Sequence, residues 1–186
     1  ELASYFLMSY LEEFHNLYPN IAIQIFSEPS KFLRKMIKKG QLDLLIAKEL
    51  EVDEDIFDIE RIGYLHHCFV ASNHYSELKG KSITLNDLNS YPILLQQQPS
   101  TTRTLFDSFC IKNNIEITSK LEIASITLME DFVRIGLGVG LVTKEFAQRE
   151  LEDGTIFEVN TEPKLPSTPF ALITLKDSFH TFLDFL

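Results

Sequence analysis

Residues 125–143 read SITLMEDFVRIGLGVGLVT, and residues 30–47 follow the same plan with SKFLRKMIKKGQLDLLIA. Each segment begins at a serine suited to the first position of a helix and continues with apolar residues at helical spacing until a glycine ends the helix. A short apolar run follows, as in strands that are covered on both faces of a parallel sheet. The repeated plan indicates an α/β protein. It is common in that class, and it is also what two similar lobes would produce.

The flanking sequence continues the alternation of helices and strands. A helical apolar stripe runs from residue 2 to residue 18, and further helices are predicted to start near residues 100 and 144. Strands are predicted at 21–26, 42–47, 59–62, 67–72, 92–95, 115–123, 139–143, 156–159 and 170–175. This order predicts mainly parallel sheets, in which ligands bind at the carboxyl ends of strands, near helix N-termini.

Composition narrows the class of protein. The 186 residues are 45% hydrophobic, which suits a soluble protein of one domain or two small lobes. No run approaches the roughly 20 apolar residues of a membrane span. The net charge of −10 is opposite to that of a DNA-binding surface, so we expect any DNA contact to lie in another part of the protein. Two cysteines are too few for a disulfide framework and predict reduced thiols in the cytoplasm.

The strongest candidate for a binding site is the helix start Ser100-Thr101-Thr102-Arg103. A helix N-terminus offers free backbone N–H groups and partial positive charge, and hydroxyls add donors, which together suit a carboxylate or phosphate. Ordinary N-capping explains one hydroxyl, but three in a row favour binding. The helix start at Ser125 and Thr127 is a second place of this kind.

Two residues of the first half are further candidates. Lys48 follows the apolar strand directly, where a cation could neutralise an anionic ligand, although a solvated lysine is the commoner case. Ser30 begins the matching helix and has the same two interpretations.

The sequence indicates no metal site, no phosphate-binding glycine loop and no catalytic nucleophile. In a strand His66 and Cys68 share a face while His67 points away, and no second ligand pair has zinc-site spacing, so we expect no metal. The glycines of 136–140 lead from a helix into a strand, whereas phosphate-binding loops lead from a strand into a helix. No nucleophile motif is present, so we expect a protein that is not an enzyme and has no cofactor.

The ordered motifs resemble one family, the effector-binding domain of LysR-type transcriptional regulators. The resemblance covers essentially the whole chain and departs at Thr143 and Tyr75, where the family usually has proline. The motifs are Tyr18-Pro19-Asn20-Ile21, Gly40-Gln-Leu-Asp-Leu-Leu-Ile46, Pro92-Ile-Leu-Leu95, Ser100-Thr-Thr-Arg103 and Val133-x-x-Gly136-x-Gly138-Val139.

The resemblance implies a type-2 periplasmic-binding-protein-like fold, with two Rossmann-like lobes joined by two crossover segments. Lobe I would hold residues 1–72 and 168–186, lobe II residues 73–167, and the crossovers would fall near Ala71–His74 and Thr168–Leu172. Inter-lobe effector contacts would be Ser30, Lys48, Ser100, Thr101, Thr102, Ser125 and Thr127.

The resemblance also implies partners. A small anionic or polar metabolite would be the effector, and the protein would be a cytoplasmic homodimer or homotetramer without membrane contact. DNA would be bound by an N-terminal winged helix-turn-helix outside these residues. Because Glu1 opens directly onto a helical pattern with no initiator methionine, we expect a fragment of a longer protein.

Two alternatives share the fold. A solute-binding protein of a transporter would have a leader or lipid anchor upstream, and an enzyme would need a catalytic acid, base or covalent cofactor in the cleft. The residues before Glu1 would distinguish regulator from transporter component, and turnover of a stabilising ligand would indicate the enzyme.

Overall fold

A computed structural model describes residues 2–28, 30–48 and 55–176, which divide into two compact units. The first unit comprises the described parts of Glu1–Tyr64 and Thr168–Leu186, and the second comprises Leu65–Ser167. The described strands are β1 Leu45–Lys48, β2 Phe57–Leu65, β3 His67–Ser72, β4 Ser82–Thr84, β5 Ile93–Gln96, β6 Ser119–Ile123, β7 Val139–Thr143, β8 Ile156–Glu162 and β9 Thr168–Leu175. The described α-helices are α1 Met8–Leu17, α2 Ser30–Lys38, α3 Thr101–Asn113, α4 Ile126–Arg134 and α5 Gln148–Glu152.

The first unit is a three-stranded sheet in the order β1-β9-β2, with α2 packed against it. A π-helical stretch, Ala3–Leu7, leads into α1. Ile37 of α2 is fully buried against Leu45 and Ala47 of β1 and Ile173 of β9. Because β1 pairs antiparallel with β9, the expectation of a mainly parallel sheet does not hold here.

The strand predicted at 21–26 is absent from the structure, so that prediction was wrong. Ile21, Ile23 and Ile25 alternate with Ala22 and Gln24 as in a strand, yet these isoleucines and Phe26 are 43–59% exposed. A strand forms only when a second segment supplies backbone hydrogen bonds, and no described segment pairs with these residues.

The second unit is a six-stranded sheet in the order β4-β8-β3-β7-β5-β6. β5 is parallel to β6 and β7, β4 is parallel to β8, and β3 is antiparallel to both β7 and β8. Five of the six strands therefore share one direction. The carboxyl ends of β5 and β6 meet at one edge, with Gln96 beside Ile123.

Both faces of this sheet are covered. Phe69, Leu95 and Phe106 belong to a core cluster on the α3 face, while the alternate residues Val70 and Leu94 pack with α4. This explains why the strands are continuously apolar.

β3 lies in the second unit, because its ladders are with β7 and β8. The sequence placed residues up to 72 in the first lobe, whereas the division in the structure falls between Tyr64 and Leu65. Residues 177–186, which the same prediction added to lobe I, lie outside the described residues. The assignment of these units as regulatory lobes stays a prediction.

The glycine-rich segment 136–140 connects a helix to a strand. Gly136 has φ +83°, and its N–H donates to Val133 O while Leu137 N–H donates to Phe132 O at 3.0 Å. These two bonds form a Schellman motif, which satisfies the last carbonyls of α4 and needs a residue that tolerates the left-handed region.

Candidate functional site

A cavity of about 270 Å³ lies in the second unit where β5 and β6 end. Since α3 follows β5 and α4 follows β6, two helix N-termini approach the same edge of the sheet. Residues 96–100 supply one wall and residues 124 and 126 the other; the lining is Gln96, Gln97, Gln98, Pro99, Ser100, Ala124 and Ile126. Its polar groups are amides, a hydroxyl and helix-start backbone, which suit a small ligand with hydrogen-bond acceptors.

Ser100 is the N-cap of α3 and also lines the cavity. Its Oγ accepts a hydrogen bond from Arg103 N at 3.3 Å, and its carbonyl accepts one from Thr104 N at 2.9 Å. The Ser100 hydroxyl also donates to Oε1 of Gln96. Ser100 therefore caps the helix and orients a neighbouring side chain at the same time.

The other two hydroxyls of this helix start have different surroundings. Thr102 is 4% exposed and shares the buried face of α3 with Phe106 and Cys110, and Thr101 is half-buried. Neither lines the cavity. The structure thus brings Ser100, rather than all three consecutive hydroxyls, to the cavity.

The N-terminus of α4 resembles that of α3, because a serine caps each helix. Ser125 is its N-cap and accepts from Leu128 N at 3.3 Å, and the side chains of Ser125 and Thr127 are exposed. Neither residue lines the cavity, although their neighbours Ala124 and Ile126 do. A role for Ser125 and Thr127 in binding stays a prediction.

The two candidate binding residues of the first unit each lie at the end of a helix or strand. Ser30 begins α2, and its side chain lies outside the described part of the structure, while the half-buried Lys48 ends β1. Contact of these two residues with a ligand also stays a prediction.

The guanidinium of Arg103 donates three hydrogen bonds to residues of the second unit. Nε donates to Asp107 Oδ1 at 2.8 Å, and Nη1 donates to Glu122 Oε1 at 2.9 Å and to the backbone O of Gln96 at 3.0 Å. Burial lowers the pKa of Arg103, but the hydrogen bonds to the two carboxylates outweigh it and raise this pKa overall. In return, the hydrogen bond from Arg103 lowers the pKa of Glu122. This cation therefore ties β5, α3 and β6 together.

Gln96 was missed in the sequence analysis. Its side chain is 5% exposed, which is unusual for a glutamine. The available signal was a polar residue directly after a short apolar strand, the same argument that singled out Lys48. The stretch Gln96-Gln97-Gln98 looked like a polar loop, and only strand pairing shows that Gln96 is still part of β5.

A larger cavity of about 700 Å³ lies along β3, β8 and α5 in the same unit, and two pairs of ionisable side chains line it. His66 Nδ1 lies 2.6 Å from Glu145 Oε1, and Lys144 Nζ lies 2.6 Å from Glu158 Oε2. Burial, followed by the charge of Glu158, raises the pKa of Cys68 to about 12. Among the described residues, no group of three side chains could hold a metal ion, and no helix could cross a membrane.

Comparison with known proteins gives a consistent result. The family model described as the LysR substrate binding domain matches residues 1–186. An HTH-type transcriptional regulator of Bacillus subtilis, YwqM, is 26% identical over 167 residues, which are 88% of this chain and 56% of the relative. The HTH-type regulator cbl of Escherichia coli is 21% identical over 86% of this chain and 52% of its own length. The chain thus spans about half the length of these relatives.

Among solved structures, the regulatory domain of CcmR from Synechocystis PCC6803 in complex with 2-PG has a TM-score of 0.84. It is 20% identical, and the match covers 98% of this chain and 90% of the other. This likeness shows that the fold is that of the LysR effector-binding domains, a type-2 periplasmic-binding-protein-like fold, as the sequence resemblance predicted.

Proposed function

Since this chain belongs to the LysR substrate-binding domain family, we propose that it binds a small anionic or polar metabolite and thereby controls DNA binding by the full-length regulator. The observation that supports the ligand class is the cavity at the ends of β5 and β6, where two helix N-termini and Ser100 converge. The ligand of a structural relative, 2-PG, belongs to the CcmR regulatory domain and serves here only as a probe.

The way in which the effector would control DNA binding follows from the thermodynamic linkage between ligand binding and conformation. A ligand shifts a conformational equilibrium only by the difference between its affinities for the two states, so the effector must favour one arrangement of the regulator. The longer relatives support an additional DNA-binding segment in the full-length protein. We propose that the full-length protein is a cytoplasmic homodimer or homotetramer which binds its effector without converting it.

A thermal-shift screen tests the proposal. The chain is incubated with acetate, succinate, benzoate, shikimate and 2-PG, and the melting temperature is measured. A ligand that binds only the native state at 100 times its Kd stabilises by about 2.7 kcal/mol, which is about 5–10 °C for a chain of this size. Recovery of the ligand unchanged after incubation tests the absence of turnover.

Two variants then test the predicted site. Ser100→Ala and Lys48→Ala should each weaken binding of the stabilising compound, because they remove a hydroxyl and a cation from the predicted contacts. Gln148→Ala on α5, outside the predicted contacts, is the matched control and should bind like the wild type. Unchanged affinity in both test variants would show that the predicted site is wrong.

A further inference from the structure

One short helix carries a concentrated positive charge in an otherwise acidic chain. Residues 31–39 comprise most of α2 and the residue that follows it. They contain five of the 17 lysines and arginines and none of the 27 acidic residues of a chain whose net charge is −10. The average charge therefore does not describe this helix, whose surface can attract a partner that the rest of the chain repels.

Three of these five cations form a row on the exposed face of α2. Lys31, Lys35 and Lys39 follow one another at a spacing of four residues, so they lie on the same side of the helix. All three side chains are exposed, whereas Ile37 on the opposite side is fully buried in the core of the first unit. We call these three residues the lysine row.

The other two cations of the segment lie closer to the body of the first unit. Arg34 is half-buried, and Lys38 Nζ lies 5.8 Å from the centre of the Phe57 ring. In the part of the chain that the structure describes, no residue forms an ion pair or a side-chain hydrogen bond with the lysine row. The lysine row is therefore available to a partner from outside the domain.

The lysine row does not stabilise the helix that carries it. Like charges four residues apart on a helix repel each other, which applies both to Lys31 with Lys35 and to Lys35 with Lys39. Lys31 also lies in the first turn of α2, where the positive end of the helix dipole disfavours a cation and no acidic residue compensates it. A local preference that is broken without a gain in stability is typical of a functional surface.

The geometry of the lysine row fits an extended polyanion. Eight residues of an α-helix rise by about 12 Å, so the three charges are spread over a length that one small carboxylate cannot span. Duplex DNA carries roughly seven phosphate charges over that length. Lysine presents a point charge without a fixed fork of donors, which suits phosphates in any base sequence.

We propose that the lysine row is an auxiliary contact for the phosphate backbone of DNA, independent of base sequence. This goes beyond the proposed function, in which a segment outside these residues recognises DNA. The matched part covers only 56% and 52% of two relatives that are HTH-type transcriptional regulators. In a full-length protein of this kind, DNA bound by the other segment is tethered to this domain, and the high effective concentration lets three weak contacts contribute.

Fluorescence anisotropy with a labelled DNA duplex of arbitrary sequence tests the proposal on this chain. The wild type is compared with the lysine-row variant, Lys31→Gln/Lys35→Gln/Lys39→Gln. The matched control removes the same charge from exposed positions of the second unit and is Lys81→Gln/Lys112→Gln/Lys120→Gln.

The lysine-row variant should lose both affinity and salt dependence. Each phosphate contact contributes about 0.9 to the slope of log K against log salt concentration, so the slope should fall by about 2.7 and binding at about 20 mM salt should weaken about tenfold or more. The control should bind like the wild type. If the wild type does not bind at this salt concentration, or if the lysine-row variant keeps its affinity and slope, the proposal is wrong.

Two readouts exclude a purely structural effect. Arginine at the same three positions keeps the charges and should restore binding to the level of the wild type. The lysine-row variant should unfold at the same urea concentration as the wild type or a higher one, because the repulsion along α2 is removed.

Two further measurements distinguish DNA from an acidic protein surface. Poly-glutamate is the probe for an acidic partner, and sedimentation velocity at low salt detects contacts between copies of this chain. Preference of the wild type for the duplex over poly-glutamate supports the contact with DNA. Tighter binding of poly-glutamate, or a self-association that the lysine-row variant loses, would overturn it.

Discussion

Substitution of Gly138 by alanine should destabilise the second unit by about 2–6 kcal/mol. A Cβ at this position would lie 2.2 Å from the backbone O of Pro92 and 2.2 Å from Cδ1 of Leu94, well inside the 3.4 Å at which ordinary contacts begin. Leu94 can move its side chain, but the Pro92 carbonyl cannot move freely, because it accepts from Val139 N at 2.8 Å and joins β5 to β7.

The magnitude combines two effects. Overpacking of a close-packed core costs about 1–3 kcal/mol, and the loss of a buried backbone hydrogen bond costs about 1–3 kcal/mol. Both effects occur together here, because relief of the clash requires β7 to move away from Pro92. Urea unfolding followed by circular dichroism measures the change in the free energy of unfolding.

Gly80→Ala is the matched control for the glycine-to-alanine change. Gly80 has φ +73°, and no atom of the described residues lies within 4 Å of the place that a Cβ would take, so alanine there introduces backbone strain without a clash. That strain should cost about 1–2 kcal/mol. If Gly138→Ala destabilises the protein less than Gly80→Ala does, the close approach of β7 to Pro92 does not have the energetic role assigned to it.

Three further predictions concern single groups. Burial raises the pKa of Cys68 to about 12 and that of Cys110 to about 11, so both thiols should react slowly with Ellman's reagent at about pH 8 until urea is added; fast native labelling would contradict this. Ser125→Ala should lose about 1 kcal/mol in urea unfolding through the lost cap of α4, while Ser125→Asp should keep most of it. Arg103 lowers the pKa of Glu122 below its ordinary 4.5, so this pair stabilises the fold above that pH and the contribution is lost on acidification. Glu122→Gln should therefore flatten the acid side of the stability profile, and an unchanged profile would count against the pair.

Local signals in the sequence predicted local structure well. The serines before α3 and α4 cap these helices as expected, and Gly136 ends α4. The family resemblance also identified the fold and the class of protein. These features depend on residues within one helical turn of each other or on ordered motifs, so they can be read without knowledge of distant contacts.

The same local signals did not decide which hydroxyl lines the cavity. Ser100 and Thr102 are two residues apart at one helix start, yet Ser100 lies at the cavity and Thr102 packs inward with Phe106. Helical geometry fixes their angular separation, but only the position of the sheet below α3 determines which of the two directions is buried.

By itself, then, the sequence determined the alternation of elements, the ends of the helices, the acidic charge and the family. Only the tertiary structure decided that residues 21–26 form no strand, that β3 pairs within the second unit, and that Gln96 is buried at the end of β5. The physical reason is that strand ladders and burial require partners far away in the sequence. An alternating segment without such a partner stays exposed, and a glutamine in a polar run becomes buried once its strand lies between two others.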